Sequence, residues 1–304
     1  MVSHGCAGYC LVMDGQIHGS SRTSVVVITR DRRVEAMESV ARLLALPEGP
    51  PVVVVDNGSS DDTAEAIEQR YPTVDVVRLG RNLGAAGRTV GAQRARTPYV
   101  AFSDDDSWWA GGALDRAAAL LDRAPRLAVL AARVLVGWEG REDPVSVAMR
   151  NSPLGEVPGV GPRVLGFVAC GAVVRRSAYL EVGGFHPRFG VGGEETLLAV
   201  DLTERGWDCA YVDDVVAHHH PSKVRDLRAR RAREVRNAMW TLWLRRRLAT
   251  VLTGTDRALV RVAWDRDARA GLRQAFAGAG WVLRERAPVR ASTERALRLL
   301  EGNL

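Results

Sequence analysis

The chain has 304 residues, is 46% apolar and carries a net charge of +6, values that suit one large core or two modest ones and exclude a disordered polymer. That charge is unevenly divided: residues 223–304 hold 20 Lys and Arg against 8 Asp and Glu, whereas the preceding residues hold 22 against 28, an acidic body with a basic tail. No apolar run approaches the roughly 20 residues that span a bilayer, and residues 1–23 lack the basic start and apolar centre of a signal peptide, so a flexible leader and a cytoplasmic location are expected.

Ser24 to Thr29 reads as a buried strand, followed by helical spacing from Val34 to Leu46 and a Pro47-Glu48-Gly49-Pro50-Pro51 breaker. Val52 to Val55 is a second buried strand, and Asp56 to Thr63 a turn into a helix that ends near Tyr71, with Ser60 or Asp61 as the expected cap. A strand over Val74 to Leu79, a helix over Leu83 to Ala95, a strand over Tyr99 to Ser103, a helix over Ala113 to Arg123 and a strand over Leu127 to Val136 follow. Near-continuous apolar strands alternating with helices predict an α/β fold with a mainly parallel sheet covered on both faces. Residues 137–163, polar and rich in Gly and Pro, read as a loop over the sheet. Strand pattern resumes from Val164 to Arg175, a helix is expected from Glu194 to Arg205, one or two strands from Cys209 to His219, and helix again from Val224 to Arg247.

Chemistry concentrates where those strands end. Asp104, Asp105 and Asp106 follow an apolar run, and three adjacent carboxylates repel one another unless a cation intervenes. Carboxylate oxygens suit Mg²⁺ or Mn²⁺, and Mg²⁺ is commonly held by one or two carboxylates plus substrate phosphates. Thr29-Arg30-Asp31, Asp56-Asn57 and His218-His219-His220 fall at the ends of other strands, which is where open α/β sheets gather ligands. A plain acidic cap after the strand, or an Asx-turn at Asp56, would explain each position singly but not their coincidence. Cys6, Cys10, Cys170 and Cys209 show neither a CxxC pair nor dense spacing, so reduced thiols are expected.

Five motifs in order then resemble those of the family 2 glycosyltransferases, which have the GT-A fold: Thr29-Arg30-Asp31 after a strand, Val54 to Asp61, Arg81 to Arg88, Asp104-Asp105-Asp106 and Gly193-Glu194-Glu195. The likeness covers Ser24 to Ser222 and implies a catalytic domain over residues 24–222, with a nucleotide-sugar half (24–136) and an acceptor half (137–222), before a basic helical region (223–304). It implies that Thr29, Arg30 and Asp56 contact the nucleoside, that Arg88 and the turn before it lie near the diphosphate, that Asp104 faces ribose or sugar with Asp105 assisting, and that Asp106 holds a divalent metal, Mg²⁺ or Mn²⁺. His219 would complete that metal shell, with His218 and His220 as neighbours one register step away. Glu195 stands at the second place of the family's Glu-Asp pair and is the implied general base, Glu194 its competitor; both also suit the first turn of a helix. A metal-dependent, inverting transfer from a UDP- or dTDP-linked sugar to the hydroxyl of a glycan, a lipid-linked acceptor or a small molecule is what the resemblance implies.

Two other readings compete. A sugar nucleotidyltransferase would need a Gly-rich basic loop after the first strand, and Thr29-Arg30-Asp31-Arg32-Arg33 contains no glycine; a degenerate nucleotide-sugar-binding protein would keep metal binding without turnover. In the tail, Arg228 to Arg236, then Trp240-Thr241-Leu242-Trp243-Leu244, then Arg245-Arg246-Arg247 fit either an interfacial helix on the inner face of a membrane or a helix packed on the body through Trp240, Trp243 and Leu244. Trp108 and Trp109 fit either sugar stacking or core packing. No nucleic-acid-binding signature is present, and no such partner is expected.

Overall fold

The computed structural model describes residues 21–221, 227–261 and 265–302. Strand β1 (Thr23–Thr29) is buried along its whole length, as a Val-rich strand covered on both faces must be. After α1 (Arg33–Leu44) the chain enters β2 (Val52–Asp56), parallel to β1, and after α2 (Thr63–Arg70) it enters β3 (Asp75–Arg78), parallel to β2. Helix α3 (Ala86–Arg94) returns it to the far side of β1, where β4 (Tyr99–Asp104) pairs in parallel. The rest of the body contains β5 (Ser107–Trp109), α4 (Ala113–Arg123), β6 (Leu127–Val136), β7 (Arg141–Glu142), α5 (Pro144–Arg150), β8 (Glu156–Val157), β9 (Gly161–Pro162), β10 (Ala172–Arg175), α6 (Arg176–Glu181), α7 (Glu194–Glu204) and β11 (Asp208–His219). The nine-stranded sheet runs β3-β2-β1-β4-β10-β6-β11-β5, with β7 on β6; β10 is antiparallel to both neighbours and β5 to β11.

Strand side chains alternate between two cores. Val25 and Val27 face α1, α2 and α4, whereas Val26 and Ile28 face α3, α6 and α7. Helix α4 buries Leu114, Ala117, Ala118 and Leu121, the i, i+3, i+4, i+7 stripe of a helix lying on a sheet. Gly91 lets α3 sit directly on β1: a Cβ there would come 2.3 Å from Val26 Cγ1.

Residues 137–163 are not the unbroken loop that composition suggested. They carry β7, the β8–β9 pair and α5, whose Asp143 accepts from Val145 N–H at 2.7 Å with Pro144 in the first turn; Asp-Pro is a helix-start signal that a Gly- and Pro-rich average hides. The cap of α2 also moves, to Asp62, while Asp61 accepts from the Thr63 amide at 3.1 Å. The expected strand over Val164 to Arg175 is interrupted by a 3-10 turn at Ala169–Gly171, and only Ala172–Arg175 pairs.

Among the described residues five helices follow: α8 (Leu227–Arg245), α9 (Leu248–Arg261), α10 (Arg266–Ala277), α11 (Ala279–Arg284) and α12 (Ala291–Gly302); Val224 to Asp226 of the expected helix lie outside the described residues. Trp240, Trp243 and Leu244 of α8 are buried with Phe189, Leu197, Leu272 and Trp281, the contacts that a helix packed on the body makes. No helix among the described residues is long and apolar enough to cross one.

Candidate active site

Strand register assembles the acidic end of the site. Thr29 pairs with Asp56 and Ile28 with Asp104, so β1, β2 and β4 finish side by side. Strand β11 pairs with β5 so that His219 stands opposite Ser107, and the His220 amide donates to the Asp106 carbonyl at 2.8 Å. The triplet and His219 thereby meet although they are far apart in the chain. From the other side comes α7, which opens with Glu194 and Glu195 behind the left-handed Gly193. Gly84 fixes the distance between these walls. Its φ is +58°, a Cβ there would lie 2.7 Å from the Gly190 Cα, and the adjacent Ala85 amide donates to the Gly190 carbonyl at 3.1 Å.

The result is a cavity of about 840 Å³ lined by Thr29, Arg30, Asp104, Asp105, Asp106 and His219 on one side and by Glu194 and Glu195 on another, with Arg88 in its wall. Asp56 does not line it. That carboxylate is buried and accepts from the Ser59 amide at 3.2 Å and from the Ser59 hydroxyl, while its neighbour Asn57 faces the cavity. His218 and His220 turn away from the cavity: His218 stacks on Trp108 at 5.7 Å, and His220 packs between Trp108 and Trp138. Their alternation with His219 follows from the two-residue period of a strand. Trp109 is core, 1% exposed, and Trp108 stacks with these histidines and the Arg42 guanidinium rather than facing the cavity.

Electrostatics mark the same residues. Burial and then the charges of Asp106 and Asp104 push the Asp105 carboxyl up to about 7, against the pull of Arg32, whose guanidinium lies 3.9 Å from Asp105 and 4.0 Å from Asp106. His219 Nε2 is 3.3 Å from Asp106 Oδ1. Burial alone would lower the pKa of this imidazole, but the Cys170 sulfur and the Asp106 carboxylate raise it. Glu194 is 2% exposed and is raised by burial and by the charge of Glu195, while Arg88 and the Gly192 amide oppose the rise. Glu195 is half-buried, accepts from the Ala169 amide at 3.4 Å, and is likewise raised by burial. Arg88, 1% exposed, bonds Asp104 and sits 3.8 Å from Glu194; these carboxylates hold its charge in place despite burial. Its Nε and Nη1 make no protein hydrogen bond.

A divalent cation fits this donor set. A carboxylate oxygen of Asp104, a ring nitrogen of His219 and the sulfur of Cys170 all lie within 4.8 Å of one another, and Asp106 touches the same imidazole. The sequence reading did not single out Cys170, because an isolated cysteine carries no spacing signal. It also missed Asn237, which is fully buried on α8 and donates to the carbonyls of Phe189 at 3.0 Å and Gly192 at 2.7 Å; that amide clamps the loop leading into Glu194.

This mixed α/β fold, with a mainly parallel central sheet and surrounding helices, is of the GT-A type. Among solved structures the chain is similar to the mannosyltransferase PcManGT from Pyrobaculum calidifontis in complex with GDP-Man and Mn²⁺, at a TM-score of 0.58 and 18% identity, covering 93% of this chain and 86% of that one. It is also similar to S. aureus TarS 1-349 in complex with UDP-GlcNAc, at a TM-score of 0.55 and 20% identity over 72% of this chain and 66% of that one. Residues 24–183 match Glycosyl transferase family 2, and the chain belongs to that family. A curated relative, the N-acetylglucosaminyl-diphospho-decaprenol L-rhamnosyltransferase of Mycobacterium tuberculosis, is 30% identical over 234 residues, 64% of this chain and 75% of the relative. The protein is a glycosyltransferase.

Proposed function

We propose that this glycosyltransferase is metal-dependent and inverting, moving a sugar from a nucleotide diphosphate to an acceptor hydroxyl. The observation that carries the reading is the single cavity in which Asp104, Asp106 and His219 face Glu194 and Glu195. A donor with UDP, dTDP or GDP is consistent with that cavity and with the nucleotide sugars named for its structural neighbours. Thr29, Arg30 and Asn57 line the nucleoside end, and Asp56 orders that end through Ser59.

Asp106, His219 and Asp104 would hold the metal, Mg²⁺ or Mn²⁺, with Cys170 beside them. When bound, the cation supplies positive charge to the diphosphate as it departs. Arg88 acts as a positioning residue, fixing the Asp104 carboxylate by direct bonding, and Asp105 adds negative charge beside the ligands. Glu195 is the general base. In the transfer the acceptor oxygen forms a bond to the anomeric carbon, the bond from that carbon to the diphosphate oxygen breaks with its electron pair leaving on the nucleoside diphosphate, and the acceptor proton passes to Glu195. Burial raises Glu195, which moves a carboxylate toward the working range of a base near neutral pH. Glu194, tied to the Gly192 amide and close to Arg88, holds the start of α7 in place.

The test is turnover of a nucleotide-sugar panel with Mn²⁺, following nucleoside diphosphate release and the anomeric configuration of the product. Glu195→Gln is expected to bind donor normally and to lose at least a hundredfold in kcat; retained configuration, or an active Glu195→Gln enzyme, contradicts the assignment.

A further inference from the structure

Helix α8 turns one charged face into the cavity. Arg230, Arg233 and Arg236 all line it, with Arg188 contributed by the loop before α7. Their spacing of three residues puts successive guanidiniums on one side of the helix, spread over about 9 Å of axis at 1.5 Å per residue. A carboxylate accounts for only one of them. Arg230 pairs with Glu234 at 3.0 Å. Arg233 reaches only the Val191 carbonyl, at 3.4 Å, and Arg236 donates to the Phe189 carbonyl at 2.5 Å and to the Asn237 side-chain oxygen. Among the described residues no ion pair to a carboxylate forms at Arg188, Arg233 or Arg236.

Like charges held this close in a partly dehydrated wall repel. Burial and the neighbouring Arg233 charge lower the pKa of Arg236. Burial of Arg230 is outweighed by Glu234 and by the charges of Glu195 and Asp104, so its pKa stands above the ordinary value; the arginine rail therefore lies within electrostatic reach of the reaction centre. Arg233 has one long carbonyl contact and Arg188 a 5.3 Å approach to the Trp281 ring, whereas Arg236, bonded through Nε and Nη2 and 4.4 Å over Trp240, keeps Nη1; the donors left over match the oxygens of phosphate esters.

The donor diphosphate has its own countercharge on the opposite wall, where Asp104, Asp106 and His219 fit a cation. A second anion would therefore find its countercharge on α8. Resting on the glycosyltransfer reading above, we propose that Arg230, Arg233 and Arg236, with Arg188, form an acceptor subsite for a phosphate or diphosphate ester, so that the acceptor is a phosphorylated molecule whose hydroxyl is presented to Glu195. A span of about 9 Å accommodates two linked phosphoryl groups. The ester is carried either by a lipid or by a soluble glycosyl phosphate, which share this headgroup chemistry.

The full-length protein is titrated calorimetrically with inorganic pyrophosphate and with farnesyl diphosphate in EDTA, so that no metal bridges the carboxylates. Wild type and Asp106→Asn are expected to bind pyrophosphate equally, whereas Arg230→Gln/Arg233→Gln/Arg236→Gln loses at least tenfold. Arg233→Gln alone, which removes only one long carbonyl contact, is expected to lose about threefold and guards against misfolding of the triple variant. Farnesyl diphosphate binding at least tenfold tighter than pyrophosphate assigns a lipid source; equal binding assigns a soluble one. No binding in EDTA, or binding unchanged in the triple and single arginine variants, overturns the subsite. Donor binding with Mn²⁺, measured separately on the same variants, decides the glycosyltransfer reading, so failure of one is distinguishable from failure of the other.

Discussion

Replacing Arg88 with methionine isolates the charge at the centre of the site. Methionine keeps much of the length that packs 5.6 Å from the Phe185 ring but removes the cation that faces Asp104 and Glu194. Breaking a buried pair by deleting one partner costs about 3–5 kcal/mol, because the remaining charge is stranded. Glu194 is the stranded group here: it is 2% exposed and its carboxyl is already raised by burial. The folded variant escapes part of that cost by protonating Glu194. A carboxyl whose native pKa is raised favours the native state below its unfolded value of about 4.5 and loses that advantage as pH climbs through its native pKa. With Arg88 present the Glu194 carboxyl stands at about 8, so the deficit of Arg88→Met should grow as pH climbs through that value, to about 3–5 kcal/mol at pH 9.5 and about 1–2 kcal/mol less at pH 7, each unit of differential shift being worth about 1.4 kcal/mol. Urea unfolding in EDTA at the two pH values, followed by tryptophan fluorescence, measures this directly. A deficit below about 1 kcal/mol at pH 9.5, or one equal at both pH values, would show that Arg88 does not neutralise Glu194.

Other residues make separate demands. Asp105 is pushed up to about 7 by burial and its acidic neighbours, so in metal-free buffer the native state keeps a proton between about pH 4 and 7 that the unfolded chain has released. Asp105→Asn should gain stability relative to wild type by a few kcal/mol across that window; a difference independent of pH would contradict this. Because metal must displace the proton that Asp106 and Cys170 favour on His219, Mn²⁺ affinity should strengthen from pH 6 to 8 with net proton release on binding; calorimetry in buffers of different ionisation enthalpy that finds no release refutes it. Gly84→Ala should lower stability by about 1–3 kcal/mol and weaken donor binding, since its Cβ would meet the Gly190 backbone at 2.7 Å; an unchanged melting temperature would mean the two loops do not meet as described. Trp240→Ala should cost about 3–5 kcal/mol through the cavity left between Phe189 and Trp281, and a loss under 1 kcal/mol would place that side chain outside the core.

The parallel half of the sheet was legible because β1, β2 and β4 are buried on both faces and therefore written as uninterrupted apolar runs. Helix α4 was legible because one stripe of its residues is buried and the other face is wet. Residues 137–163 were not: their two-residue strands and single short helix are fixed by tertiary pairing, such as Arg141 opposite Val136, which no local period encodes. At the site, the carboxylates and His219 could be read because strand ends concentrate them, while Cys170 could not, since its nearness to Asp104 and His219 comes from a 3-10 turn packed behind β4. The tail illustrates a further limit. Arginines flanking tryptophans look alike on a membrane helix and on α8, and only the burial of Trp240, Trp243 and Leu244 against α7, α10 and α11 separates them. The arginine face of α8 was visible as charge but not as part of the cavity, because its position depends on Asn237 holding the Phe189 to Gly192 loop.

The most direct measurement is thermal unfolding of wild type and Asp106→Asn with UDP, dTDP and GDP, each with Mn²⁺ and with EDTA. A ligand at a hundredfold its dissociation constant adds about 2.7 kcal/mol to the folded state. At least one nucleotide should raise the wild-type midpoint only when Mn²⁺ is present and leave Asp106→Asn unmoved. A nucleotide shift of the same size in EDTA, or in Asp106→Asn, would contradict a cation bridging the acidic triplet to the diphosphate.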